Sequence, residues 1–194
     1  PVPTKETIKN VSFINFSLYL CATINKQMKI EIQEIKLQEA ASQGTDAFLT
    51  LIHDTILDAV GGEVNAQTLP LLNGEQTTLL AYYILRDEVM DGGFIQLIHN
   101  GYGPFIFLNP FAKAMRLWGA HDFSKLVYKG RKLFEEHEKE LTAECNDEEF
   151  MALFEQYPQF DDLDDEFVEM EEEVTDIIAH YVDEHLEQFV AVAK

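Results

Sequence analysis

The sequence predicts an all-α fold, a single-domain bundle of about six or seven helices with an acidic C-terminal helical region. Two observations predict it. Apolar residues recur at helical spacing through most of the chain, and residues that cap or break helices separate these segments. No segment alternates for long enough to predict a strand. The 194 residues are 46% hydrophobic, which is enough for a sizeable core.

The first elements lie between residues 28 and 62. Residues 28–37 alternate loosely between apolar and polar side chains, which fits either a short bulged strand or the entry to a helix. A helix is expected over 45–60, with Thr45 as its N-cap and two glycines, Gly61 and Gly62, as its end.

The middle of the chain predicts one long helix and one short helix. Asn73 is expected to cap a helix that runs to residue 90, where the triplet at 91–93, Asp-Gly-Gly, breaks it. Residues 94–99 resume the helical spacing. Residues 104–108 are apolar but irregular.

Three more helices are predicted before the C-terminus. An Asn-Pro pair opens the first at residue 110, and a glycine after residue 118 ends it. The second covers residues 122–141. The third, over 146–156, begins with an Asn and a Glu in the spacing of a capping box.

The last predicted helix runs from near residue 164 to 192, within the most acidic part of the chain. Residues 144–193 contain eighteen Asp and Glu and neither Lys nor Arg, whereas residues 1–143 carry 17 acids against 13 bases. Disordered acidic tails usually lack the apolar residues needed to form a core. This segment keeps aromatic and aliphatic residues at helical spacing, so we expect a folded acidic surface.

The net charge of −21 narrows the classes of partner. Such a field repels nucleic acid and anionic lipid, so direct binding to nucleic acid or a membrane is not expected, and it attracts basic proteins, polyamines or divalent cations. The apolar run Val11–Ile24 is too short to span a membrane. Cys21 and Cys145 form no CxxC motif, which favours a reducing cytoplasm over a disulfide framework or a zinc site.

No catalytic or metal-binding pattern is present, so the sequence predicts a non-enzymatic protein without a cofactor. His180 and Glu184 share a helix face but lack the second His of a zinc-protease motif, and His185 lies at the wrong phase. The acids in 161–166 lack the glycine and the alternate spacing of a calcium loop. Acidic neighbours of Cys145 suppress its thiolate.

Polar residues between 91 and 109 lie within strongly apolar sequence. They are expected either to form a structural hydrogen-bond network or to line the pocket of a helical ligand-binding or enzymatic domain. These residues are Asp91, Gln96, His99, Asn100 and Asn109.

The acidic region also has a charge density that permits DNA mimicry. Residues 164–187 contain eleven carboxylates. On a helix they would span about 36 Å, or roughly one charge per 3.3 Å, close to the phosphate spacing along one strand of B-DNA. An acidic face that serves only solubility would show the same count. The expected phosphate surrogates are Asp164, Asp165, Glu166, Glu169, Glu171, Glu172, Glu173 and Asp176.

The stretch 91–100, Asp-Gly-Gly-Phe-Ile-Gln-Leu-Ile-His-Asn, with the later Trp118-Gly119-Ala120, resembles the signature of the bacterial DNA-mimic protein family. That family typically shows Asn-Gly-Gly-Phe, a Gln two positions on and an Asn four further. Asp91 stands where the family has Asn. The signature residues here are Asp91, Gly92, Gly93, Phe94, Gln96 and Asn100.

The resemblance covers about residues 45–190 and implies an acidic helical fold whose signature is structural. It also implies a homodimer that occupies the basic DNA-binding surface of a transcription factor. We therefore divide the chain into an N-terminal extension, residues 1–44, whose structure the sequence does not predict, and an acidic DNA-mimic-like domain, residues 45–194.

Overall fold

The computed structural model describes residues 28–194, and most of this part is helical. The predicted all-α class is confirmed. The described residues also form two short strands, β1 (Glu31–Gln33) and β2 (Ala191–Ala193). The helices of this part are α1 (Glu34–Gln43), α2 (Thr45–Ala59), α3 (Gly74–His99), α4 (Gly103–Phe107), α5 (Phe111–Leu117), α6 (His121–Leu141), α7 (Asp147–Gln156) and α8 (Asp161–Glu184).

One helix had been left open as an alternative, and another was not predicted. The segment 28–37, which fitted either a strand or a helix, contains both, because β1 leads directly into α1. The irregular apolar segment 104–108 contributes most of α4, which has a proline in its first turn.

The described chain divides into two compact units, and the division falls within α3 and α8. The first unit comprises residues 28–80 and 175–194. In it, β1 and β2 pair in parallel, with Ile32 opposite Val192.

The predicted extension of the last helix to residue 192 is wrong. α8 ends at Glu184, and a 3₁₀ turn, Leu186–Gln188, leads into β2. The amide of Ala191 donates to the carbonyl of Ile30 at 2.7 Å. Strand pairing therefore overrides an apolar pattern that would also suit a longer helix.

The helix starts in the first unit confirm one prediction and correct another. Asn73 and Gln76 exchange side-chain to backbone bonds of 2.8 and 3.0 Å, which is a capping box at the start of α3. Thr45 was expected as the N-cap of α2, but Gly44 occupies that position. The Thr45 hydroxyl instead donates to the Asp176 carboxylate.

The second unit comprises residues 81–174 and has an aromatic core. The Phe123 ring packs against three rings, those of Tyr82, Phe111 and Phe167, with centroids 5.6 to 6.0 Å apart. Burial of this kind supplies most of the stabilisation of a small unit. The predicted capping box at Asn146, which opens α7, is confirmed.

The helix break predicted at 91–93 is also confirmed in the second unit. Gly92 and Gly93 have non-helical backbone angles within α3, and Gly93 has a φ of 73°. No helix among residues 28–194 is long and apolar enough to cross a membrane. Cys21, the run Val11–Ile24 and most of the predicted extension lie outside the described residues.

Candidate functional site

Part of α8 in the second unit carries carboxylates on one exposed face. Because successive residues of an α-helix are about 100° apart, six exposed acids fall within an arc of roughly 120°. Leu163, Phe167 and Val174 occupy the opposite, buried face. We call the six acids the acidic stripe: Asp161, Asp162, Asp165, Glu169, Glu172 and Glu173.

The stripe keeps the charge spacing expected from the sequence, with partly different members. It extends from Asp161 to Glu173, about 18 Å along the helix axis, and so presents roughly one carboxylate per 3 to 4 Å. One strand of B-DNA carries a phosphate about every 3.4 Å. Asp161 and Asp162 were not among the expected surrogates, because the helix was predicted to begin only at residue 164.

Asp164, an expected surrogate, points into the protein instead. Its side chain is half-buried, and its Oδ1 accepts the Phe94 amide at 2.8 Å. Burial raises the pKa of the Asp164 carboxyl to about 6. The Phe94 bond opposes this shift, and the nearby charges of Asp161 and Asp165 add to it.

Glu171, another expected surrogate, is 8% exposed and forms an internal ion pair. Its Oε1 lies 2.5 Å from the Arg86 Nε, and the Arg86 guanidinium lies over the Tyr83 ring, 5.8 Å from the centroid. Helical spacing could have predicted that Glu171 is buried, since it is four residues after Phe167 and three before Val174 on the apolar face.

The remaining expected surrogates lie at or near the protein surface. Asp165, Glu169, Glu172 and Glu173 belong to the stripe. Glu166 is half-buried, and its carboxylate binds the Lys129 ammonium at 2.6 and 2.9 Å.

Asp176 is exposed but belongs to the first unit. There its side chain accepts a hydrogen bond from Thr45.

Three of the signature residues, Asp91, Gln96 and Asn100, form a network with Glu88, a residue that the sequence did not single out. Glu88 is 7% exposed, and its Oε2 accepts bonds from Asn100 at 2.7 Å and Gln96 at 3.2 Å. Gln96 also donates to Asp91 at 2.9 Å. Burial raises the pKa of Glu88, and burial with the Glu88 charge raises the pKa of Tyr102 to about 12.

Glu88 lies three residues before Asp91 and eight before Gln96. Gln96 and Asn100 are four residues apart and so share a helix face. An acid within one or two turns of two such amides was the signal in the sequence that both could donate to the same carboxylate.

The other polar residues of this region are also bonded within the protein. His99 Nδ1 donates to the Leu141 carbonyl at 3.0 Å. The Asn109 side chain bonds the Phe105 carbonyl and, at 2.7 Å, the Phe111 amide. Among the described residues, no buried side-chain nitrogen or oxygen lacks a partner. The geometry supports a structural network.

Within residues 28–194, no three His, Cys, Asp or Glu side chains come together in a way that could hold a metal ion. His180 and His185 each bond a backbone carbonyl one turn earlier in the chain, at 2.7 and 2.8 Å.

Comparison with known proteins decides the family. Residues 70–185, which contain the signature network and the acidic stripe, match the family model described as DMP19-like protein. The chain belongs to the DMP19-like protein family. It is 32% identical over 129 residues to the DNA mimic protein DMP19 of Neisseria meningitidis serogroup B, which covers 66% of this chain and 78% of that relative. The family is non-enzymatic, in agreement with the sequence prediction.

The internal role of Glu171 is testable in this DMP19-like chain. Glu171→Gln should lower the free energy of unfolding by about 2 kcal/mol, because Arg86 loses its buried counter-charge. Glu172→Gln is the matched control, since it changes the adjacent exposed acid, and its effect should stay within about 0.5 kcal/mol. Urea denaturation followed by circular dichroism measures both. Equal effects would contradict the assignment.

The raised pKa of Asp164 predicts a pH dependence. The folded pKa of about 6 exceeds the ordinary 3.8, so the folded state binds the proton more tightly than the unfolded state. The stabilisation from Asp164 protonation is complete below about pH 4 and is lost as the pH rises through 6.

Asp164→Asn should remove this contribution. Between pH 7 and pH 4, wild type should gain about 1 kcal/mol of unfolding free energy relative to the variant, because solvent screens part of the effect at a half-buried group. Urea denaturation at several pH values measures the difference. Parallel pH profiles for the two proteins would show that Asp164 does not titrate in this range.

Proposed function

We propose that this chain is a DNA mimic that binds the basic surface of a DNA-binding protein, such as a transcription factor, through the acidic stripe. The observation that carries the proposal is the stripe itself, in which six exposed carboxylates follow one helix face at about the phosphate spacing of a DNA strand. Membership of a family with a relative named as a DNA mimic supports it.

The charge distribution favours this kind of partner. Residues 144–193 contain no Lys or Arg, so the acids of α7 and α8 have no basic neighbours within their own segment. A basic DNA-binding surface evolved to contact phosphates, and most protein–DNA hydrogen bonds go to phosphate and sugar. A row of carboxylates can therefore satisfy many of its contacts without presenting any base edges.

The internal bonds narrow the set of surrogates. Asp164 and Glu171 would have to break bonds within the protein to reach a partner, so we assign them to the fold. Glu166 can contribute in part, since Lys129 neutralises much of its charge. The contact set that we propose is the acidic stripe within the second unit. Asp176 is left out of it, because it lies in the first unit and its carboxylate accepts a hydrogen bond from Thr45.

We propose that the biological effect is regulation of transcription. A transcription factor whose DNA-binding surface is occupied by the stripe cannot bind its operator at the same time.

We also propose a homodimer, as the family resemblance implies, because two copies would present two stripes. Sedimentation equilibrium would give the mass of the dimer.

The alternative of a ligand-binding or enzymatic domain has no observation in its favour. The polar residues on which it depended, those between 91 and 109, are bonded to one another, to Glu88 or to backbone carbonyls.

The test begins with a pull-down from lysate at low salt, with this chain as the bait. A DNA-binding protein that the bait retains is then purified and titrated with the chain and its variants. The triple variant Glu169→Gln, Glu172→Gln, Glu173→Gln should raise the dissociation constant about tenfold or more at low salt, since each exposed ion pair contributes about 0.5 kcal/mol. It should also weaken the salt dependence. Titration by fluorescence anisotropy measures both quantities.

The matched control is Glu138→Gln, Glu140→Gln, Glu144→Gln, which removes three exposed acids outside the stripe and gives the same net charge. Its dissociation constant should change less than about threefold. If both triple variants weaken binding equally, general charge rather than the stripe attracts the partner, and the proposal fails.

A further inference from the structure

The bond between Phe94 and Asp164 joins the signature to the helix that carries the stripe. Phe94 is the first residue with helical backbone angles after the glycine break in α3, and the first amides of a helical segment generally need an acceptor from outside it. Asp164 Oδ1 accepts this amide at 2.8 Å. A residue of α8 therefore caps the second half of α3.

Gly93 makes room for this bond. A Cβ at residue 93 would lie 2.3 Å from Asp164 Oδ2 and 2.8 Å from its Cγ, much closer than carbon and oxygen atoms can approach. The φ of 73° is also unfavourable for a residue with a side chain. The glycine of the signature thus accommodates a carboxylate that the signature itself does not contain.

The place of Asp164 along α8 makes this bond important for the stripe. Asp162 and Asp165 are members of the stripe, and Asp164 lies between them in sequence, about 60° beyond the edge of the stripe, with its side chain half-buried. A turn of the helix by one residue, about 100°, would move most of the stripe away from its present direction. A fixed contact in the first turn of α8 opposes such a rotation.

We propose that Asp164 is a positioning residue for partner binding, which holds the acidic stripe in its outward orientation by accepting the Phe94 amide in the space left by Gly93. The inference rests on the proposed function, because it concerns how the stripe is presented. The contribution of Asp164 is its hydrogen-bond acceptor, and its charge makes no contact with the partner.

This role separates Asp164 from its neighbour Asp165. An Asn at 164 keeps an oxygen that can accept the Phe94 amide and loses only the charge, whereas an Ala loses the acceptor. At residue 165, which is exposed, Asn loses a charge that faces the partner. The partly protonated state expected for Asp164 near pH 6 agrees with a group that acts as an acceptor, since both states offer a carbonyl-type oxygen.

Amide hydrogen exchange tests the positioning without any partner. In Asp164→Asn, exchange of the Phe94 amide and of the first turns of α8 should match wild type. In Asp164→Ala, exchange should be at least about fivefold faster at both places, since the bond that protects them is lost. An unchanged Phe94 amide in Asp164→Ala, or equally fast exchange in both variants, would overturn the proposal.

A pair of glycine variants isolates the contact from backbone strain. Gly93→Ala places a methyl against the Asp164 carboxylate, whereas Gly101→Ala has a comparable positive φ of 89° with no atom within 4 Å of its Cβ. Faster exchange at the start of α8 is expected in Gly93→Ala alone. The same effect in Gly101→Ala would attribute the change to strain and would count against the proposal.

Binding to purified core histones, used as a defined basic DNA-binding probe, tests the functional consequence. Asp165→Asn should weaken binding about two- to threefold and reduce its salt dependence, because a contacting charge is lost. Asp164→Asn should change neither quantity. Weaker binding and a reduced salt dependence in Asp164→Asn, as in Asp165→Asn, would show that Asp164 contacts the partner. If wild type does not bind histones, the proposed function loses support, while hydrogen exchange still decides the role of Asp164.

Discussion

The hydrogen bond from the Phe94 amide to the Asp164 carboxylate is the interaction on which the acidic face of the second unit depends. The bond follows a helix break, after which the first amides generally need an acceptor from outside the helix, and it requires a glycine next to that amide to leave space for the carboxylate. The same carboxylate fixes the first turn of α8. A short signature can therefore be structural and still control a surface to which it contributes no residue.

The second constraint is the unfavourable electrostatic free energy of placing many carboxylates close together with few basic residues. The fold places the acids of α8 in two environments. Glu171 faces inward, where Arg86 offsets its burial, and the half-buried Glu166 pairs with Lys129 near the surface. The stripe faces water, where the mutual repulsion of its charges is screened. The acids that pair with a cation hold the helix to its neighbours, and the acids of the stripe face the solvent.

Local signals predicted much of the fold. The starts of α3 and α7 were predicted because their signals lie within a few residues, an N-cap at Asn73 and a capping box at Asn146. The end of α8 was not, because β2 forms only when Ala191 meets Ile30, far away in the sequence.

Local signals likewise predicted only part of the candidate site. The presence of an acidic helix was predictable, but a linear charge density does not say which acids face the solvent. Helical phase would have placed Glu171 on the apolar face. Asp164 could not be assigned by phase alone, since its partner is a backbone amide exposed by a break in another helix.

Competition with DNA tests the central claim that the stripe occupies a DNA-binding surface. A DNA-binding protein retained by the chain at low salt would be titrated with a fluorescent duplex at increasing concentrations of the chain. The account predicts that the apparent dissociation constant of the duplex rises in proportion to the concentration of the chain and reaches no plateau, because the two ligands exclude each other. A plateau, with the duplex and the chain bound to the protein together, would contradict it.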